Sequence, residues 1–184
     1  MLSSSFLWDC DVLREVSSKT LKTLRKLLSE AIDGFDSISP RMLYHSGRHG
    51  ANAAAFHAHC DGQGPTLTLI QDTDGNVFGG YTTKSWKNHF IAMSEKDPAA
   101  FLVRVISSHG GPPVLFPSTG QFLSVTSNPR CGPWFCHGIT VDYDDQCYTH
   151  VDGTEYANPT GLRSDETMTG TWKFTPAIIQ VYGL

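Results

Sequence analysis

The residues with most chemistry to offer in this 184-residue chain are its 5 cysteines and 8 histidines. Cys131, Cys136 and Cys147 all fall near turn-rich stretches, and Cys136 has His137 beside it. A neighbouring imidazole favours the thiolate, the form of cysteine that attacks peroxide. Cys136, or Cys131, is therefore the candidate nucleophile of a thiol-dependent peroxide scavenger, with His137 as activator. Against this stands the lack of a C-x-x-C partner to resolve the oxidised thiol. Single cysteines also serve commonly as small buried hydrophobes.

Zinc accepts the same residue types. His57, His59 and Cys60 form one cluster, and Cys131 with Cys136–His137 a second. Two histidines two apart on a helix project about 200° from each other, so the spacing does not predict a metal site. Other templates fail as well. There is no G-x-S-x-G elbow for a catalytic serine and no G-x-x-x-x-G-K-S/T phosphate loop, and no G-x-G-x-x-G follows a strand. Asp72–Asn76 (DTDGN) opens like a calcium loop, but its glycine falls at the fourth position and Thr83 at the twelfth. An EF-hand wants glycine at the sixth and glutamate at the twelfth. A hairpin turn accounts for the segment better, and no cofactor is expected.

The elements that must position these residues follow from periodicity. From Lys19, Leu21, Leu24, Leu28 and Ile32 recur at helical steps with lysines and arginine on the other side. Ser17 or Ser18 suits the N-cap, and Gly34 the stop. A second helix fits Ala51–Cys60, capped by Gly50 or Asn52. Thr66–Gln71 and Val77–Thr82 then read as two strands joined by the Asp74-Gly75 turn, the strongest local signal in the chain. Further strands are expected at Phe101–Ile106, Gln121–Val125, Gly138–Tyr143, Thr171–Phe174 and Ile178–Val181, the last closing the sheet near the hairpin. Gly79 and Gly80 weaken a strand; a bulge or the close approach of another element should explain them, with Tyr81 and Trp86 anchoring that side. Many short strands with a few helices predict an α+β, mainly β fold: a β-sandwich with peripheral helices.

Composition narrows the partners. Lys+Arg number 14 against 18 Asp+Glu, a net charge of -4, which argues against general affinity for nucleic acid. Apolar residues at 40% and charged residues at 17% exclude a long disordered tail. No apolar run approaches the ~18 residues of a membrane span. Met1–Trp8 lacks the basic start of a secretion signal, and five unpaired cysteines suit a reducing, cytoplasmic setting.

Several segments together resemble the TLDc domain. They are Leu43-Tyr44-His45-Ser46, His49-Gly50, Ala55-Phe56-His57, Cys60-Asp61, Gly64-Pro65-Thr66-Leu67-Thr68-Leu69-Ile70, and Asp74-Gly75-Asn76-Val77-Phe78-Gly79-Gly80-Tyr81-Thr82 with Trp86. Weaker matches continue at Ala100-Phe101-Leu102, Gly132-Pro133-Trp134-Phe135, and from Phe174 to Tyr182. The resemblance implies two antiparallel sheets packed as a sandwich with helices outside, filling residues 17–184 as one domain, with residues 1–16 an N-terminal extension. It implies a mostly cytosolic eukaryotic protein linked to oxidative-stress resistance. Its partner would be the vacuolar-type proton ATPase, met through peripheral-stalk or catalytic-sector subunits, which would recruit it to organelle membranes. The family offers no agreed catalytic residues to carry over. Two departures, Phe135-Cys136-His137 and Phe101-Leu102-Val103-Arg104, fall where partner contacts of the C-terminal half would be carried over. A non-enzymatic, monomeric interaction module is the leading expectation, and the thiol enzyme its alternative.

Overall fold

The layers follow from which strands are apolar on one face and which on both. The computed structural model describes residues 10–184; residues 1–9, with most of the expected extension and the Met1–Trp8 reading, lie outside them. Two six-stranded antiparallel sheets form the frame. The first runs β1 (Arg41–His45), β12 (Pro176–Gly183), β2 (Thr66–Asp72), β3 (Val77–Thr82), β5 (Phe101–Ile106) and β6 (Val114–Pro117). The second runs β11 (Lys173–Phe174), β10 (Cys147–Thr149), β9 (Ile139–Asp142), β8 (Cys131–Phe135), β7 (Val125–Ser127) and β4 (Met93–Glu95). Helices α1 (Ser18–Ala31), α2 (Ser46–His49) and α3 (Ala53–Cys60) lie outside the sheets. This is the mainly β sandwich that the sequence predicts.

The β2–β3 hairpin is fastened at its turn. Asp72 Oδ1 accepts the amides of Asp74 (3.0 Å) and Asn76 (2.8 Å), and Gly75 supplies the positive φ of 83°. β12 then pairs along the whole free edge of β2, from Pro176 opposite Asp72 to Gly183 opposite Thr66. On the inner face Ile70, Phe78, Leu102 and Phe116 join Phe135, Ile139 and Val141 of the second sheet in one buried cluster. On the outer face Leu67, Leu69, Tyr81, Phe101 and Val103 form another, with Leu21, Leu24 and Leu28 of α1. Ser17 caps α1 by accepting the Thr20 amide (3.2 Å), as its position predicts. The result is three layers: helix, sheet, sheet.

Several elements differ from expectation. Residues 10–16, set outside the domain, bring Cys10, Val12, Leu13 and Val16 into the outer cluster. The Gln180 side chain holds them by accepting the Val12 amide (2.9 Å) and the Cys10 thiol (3.0 Å). The reason is width: a helix is ~10–12 Å across, less than the span of four strands spaced ~4.8 Å apart. The strand expected at Gln121–Val125 lies instead at Val125–Ser127. β8 begins at Cys131, beside a turn-rich stretch, and β1, β4, β6 and β10 carry no strong period. β6, bounded by Pro113 and Pro117, lies at a sheet edge, where proline removes no ladder bond.

Gly79 and Gly80 mark a close approach; they pair in regular register with Leu69 and Thr68 and with Val103 and Leu102, and the irregularity of this strand falls before them. The β3–β5 register shifts between Val77 and Phe78. A Cβ at Gly79 would lie 1.9 Å from the Thr68 carbonyl oxygen, and one at Gly80 2.7 Å from the Phe135 ring. Of the two expected anchors, Trp86 lies in the inner cluster, whereas Tyr81 stacks outward on Phe101 at 5.1 Å. Gly80→Val should therefore lower stability by ~1–3 kcal/mol through overpacking, read as a drop in Tm. Gly79→Ala should cost more than Gly80→Ala, because a ladder carbonyl yields less readily than a ring. Equal, negligible losses would contradict the packing account.

Candidate functional site

The signature segment builds the core. Phe56, buried on α3, packs edge-on against Tyr44 (5.8 Å) and Trp86 (5.5 Å), and Trp86 does the same with Phe135 (5.7 Å). Trp86 Nε1 donates to Thr66 Oγ1 at 3.0 Å, satisfying its one polar atom. Leu67 fills the outer cluster, and Phe78 meets Phe174 at 4.9 Å. Gly64, joined to Pro65 by a cis peptide, passes so close to the Lys84–Ser85 backbone that a Cβ would lie 2.8 Å from it. Gly50 ends α2 with φ 100°. His49 stacks on His59 at 4.1 Å and accepts the His45 amide through Nδ1 (3.1 Å). These residues are spent on packing and turns.

The thiols are likewise buried. All five are free, and none is more than 8% exposed. Burial pushes Cys131 up to about 12, helped by Asp142, and Cys147 up to about 11. Burial also raises Cys10, Cys60 and Cys136. The pair expected from adjacency, Cys136 with His137, does not form. The Cys136 thiol is bonded to Thr126 Oγ1 (3.0 Å), while His137 is 60% exposed and its Nδ1 faces Asp152 and Glu155. Both residues lie in the turn after β8, where the His137 φ of 46° turns the backbone away from strand geometry. Cys131 lies apart, at the start of β8. The zinc cluster weighed around α3 is also dispersed: His57 bonds Asp61 (2.7 Å) and the Asn128 carbonyl (2.9 Å), and His59 bonds the Ala55 carbonyl (2.8 Å).

One expected residue does reach a cavity. His137 opens a hollow of about 510 Å³ with Trp134, Cys136, Tyr148, His150, Asp152 and Glu155 on its walls. His137 sits in the turn from β8 to β9, where Phe135 pairs Ile139. It has φ 46°, the one positive φ at a non-glycine among the described residues. Glycine would be the ordinary occupant of that position, but the glycine of this turn is used next door. A Cβ at Gly138 would lie 2.6 Å from Leu102 Cδ1. His137 Nδ1 lies 3.9 Å from Asp152 Oδ2 and 3.8 Å from Glu155 Oε2, and His150 Nε2 lies 3.8 Å from the same Asp152 oxygen.

The opposing loop is rigidly held. Asp152 Oδ1 accepts the amide (2.9 Å) and hydroxyl (2.6 Å) of Thr154, and the Thr154 hydroxyl also meets Glu155 Oε2. The Thr119 hydroxyl donates to the Thr154 carbonyl (2.7 Å), and the Thr119 amide to the Glu155 carbonyl (2.8 Å). Burial raises the Asp152 carboxyl, yet the Thr154 bonds and the two imidazoles outweigh it and hold it below its usual range. Sequence reasoning missed His150, Asp152 and Glu155. Their signal was the compact run His150-Val-Asp-Gly-Thr-Glu155, which holds three ligand types within one turn.

A TLDc domain family model matches residues 16–121. "TBC1 domain family member 24" of Xenopus tropicalis is 33% identical over 67 residues, 36% of this chain and 12% of that protein. "MTOR-associated protein MEAK7" is 38% identical over 47 residues in Danio rerio and 43% over 47 in Xenopus laevis, each match covering 26% of this chain and 10% of that protein. The matched part is thus a small fraction of these longer relatives.

A raised thiol pKa in a buried site leaves little thiolate at neutral pH. An Ellman-type titration of native protein should therefore react at least ~10-fold more slowly than after unfolding, when all 5 thiols titrate. A thiol that reacts fast in the native state would restore the peroxidase reading, and Cys131→Ser and Cys136→Ser would identify it.

Proposed function

Because the chain belongs to the TLDc domain family, we propose that it is a protein-binding module that regulates assembly of the vacuolar-type proton ATPase. It would engage peripheral-stalk or catalytic-sector subunits from the cytoplasmic side and contribute to oxidative-stress resistance through the pump. It would act as a monomer and without catalysis of its own. No described helix is long and apolar enough to cross a membrane, so recruitment to a membrane would run through the partner.

The observation that carries the reading is where apolar surface is left in water. Phe90 is fully exposed, Ile91 71% exposed and Met93 45%, in one stretch leading into β4. β4 ends its sheet, and beyond its pairing with β7 it offers a free edge. Consecutive large apolar side chains beside an open strand edge suit a protein partner that adds to the edge and covers them. The net charge of -4 supports a protein rather than a nucleic acid. The relatives named "MTOR-associated protein MEAK7" make mTOR the second partner to probe.

Capture from lysate on the purified chain should recover pump subunits. Phe90→Ser with Ile91→Ser should remove them while leaving Tm unchanged, since neither side chain is packed. Recovery of mTOR in place of pump subunits, or of neither by a folded sample, would overturn the pump reading.

A further inference from the structure

The geometry points to a divalent metal site of the zinc class on the cavity wall, held by His137, Asp152 and Glu155, with His150 beside it. It is independent of the pump reading. The ligand atoms of these three residues all lie within 4.8 Å of one another. The imidazole sits 3.8–3.9 Å from both carboxylates, beyond direct hydrogen-bond range. Two ligand atoms bound to one zinc at ~2.0–2.2 Å lie roughly 3.3–3.5 Å apart in a tetrahedron. A contraction of a few tenths of an ångström would bring the imidazole to that separation from each carboxylate, and the two carboxylates, within 4.8 Å of each other, would draw together by up to about 1.5 Å to complete the set.

Three further features serve that role. Asp152 commits Oδ1 to the amide and hydroxyl of Thr154, so that Oδ2 alone faces the imidazoles, and the Thr119 amide holds the Glu155 backbone beside it. Such outer hydrogen bonds orient metal ligands. His137 reaches the set only by holding a backbone conformation that glycine would adopt more easily. Two carboxylates converging on one partly exposed imidazole also leave excess negative charge that a dication neutralises. An imidazole among carboxylates selects zinc-like ions over calcium or magnesium, which prefer oxygen alone. Three protein ligands leave the fourth position of a tetrahedron to water or to a donor entering the cavity, and His150, 3.8 Å from Asp152 Oδ2, is placed to accept a hydrogen bond from it.

The test is a titration of chelator-treated full chain with zinc chloride by calorimetry, and with cobalt chloride by visible absorption. One equivalent should bind, with a tetrahedral or five-coordinate cobalt spectrum and a raised Tm. His137→Gly, whose backbone suits glycine, should fold as well as the parent yet bind at least ~10-fold more weakly. Asp152→Asn, which keeps an oxygen for Thr154, should do the same. His59→Ala, in the other imidazole cluster, should bind as the parent does. Absence of saturable binding, or affinity unchanged in both ligand variants, would overturn the site; loss in His59→Ala instead would place the ion at the α2–α3 histidines.

Discussion

The two sheets can meet only because β3 carries no side chain where the Phe135 ring crosses it. With Gly80 under the ring and Gly79 against the Thr68 carbonyl, the second sheet settles close enough for Trp86 to lie between Phe135 and Phe56. Tyr44 extends this edge-to-face chain and passes it on through its hydroxyl to Tyr143 (2.9 Å). One aromatic line thus ties the first sheet, α3 and the second sheet together. Such pairs add to the gain from burial itself, and a side chain at Gly80 would push the line apart at its centre.

That arrangement separates what the signature residues do from what the surface can do. Phe56, Thr66, Leu67, Phe78 and Trp86 are buried, so their identity reports on packing. What remains for partners lies at the periphery, in the apolar run before β4 and in the turns around His137 and Asp152. Both regions belong to the second sheet or the loops beside it, and Ser94 of β4 lines the same cavity as His137.

Much of the frame was legible from local chemistry. The β2–β3 hairpin declares itself because Asp72, Gly75 and Asn76 make a self-contained turn, and α1 because its leucines repeat at helical steps. The middle of β12 was legible from the apolar run around Ile178–Val181. The short strands of the second sheet were not, since β7, β10 and β11 span two or three residues each and owe their shape to neighbours distant in sequence. The packing of residues 10–16 was hidden for the same reason, as it depends on Gln180 at the far end of the chain. At the candidate site, adjacency misled. Cys136 and His137 look like a pair in sequence, but in the turn after β8 the thiol bonds Thr126 and the neighbours of His137 come from a loop fifteen residues on.

The dependence of the whole fold on the Gly80–Phe135 contact is tested most directly by a double-mutant cycle. Stability would be measured for Gly80→Ala, Phe135→Leu and the pair. If the added methyl is costly because it meets the ring, the smaller leucine should absorb it, and the pair should be more stable than the two single losses predict by about 0.5–3 kcal/mol. Strict additivity would mean that the glycine is required for some reason other than the closure of the sheets, and would contradict the account.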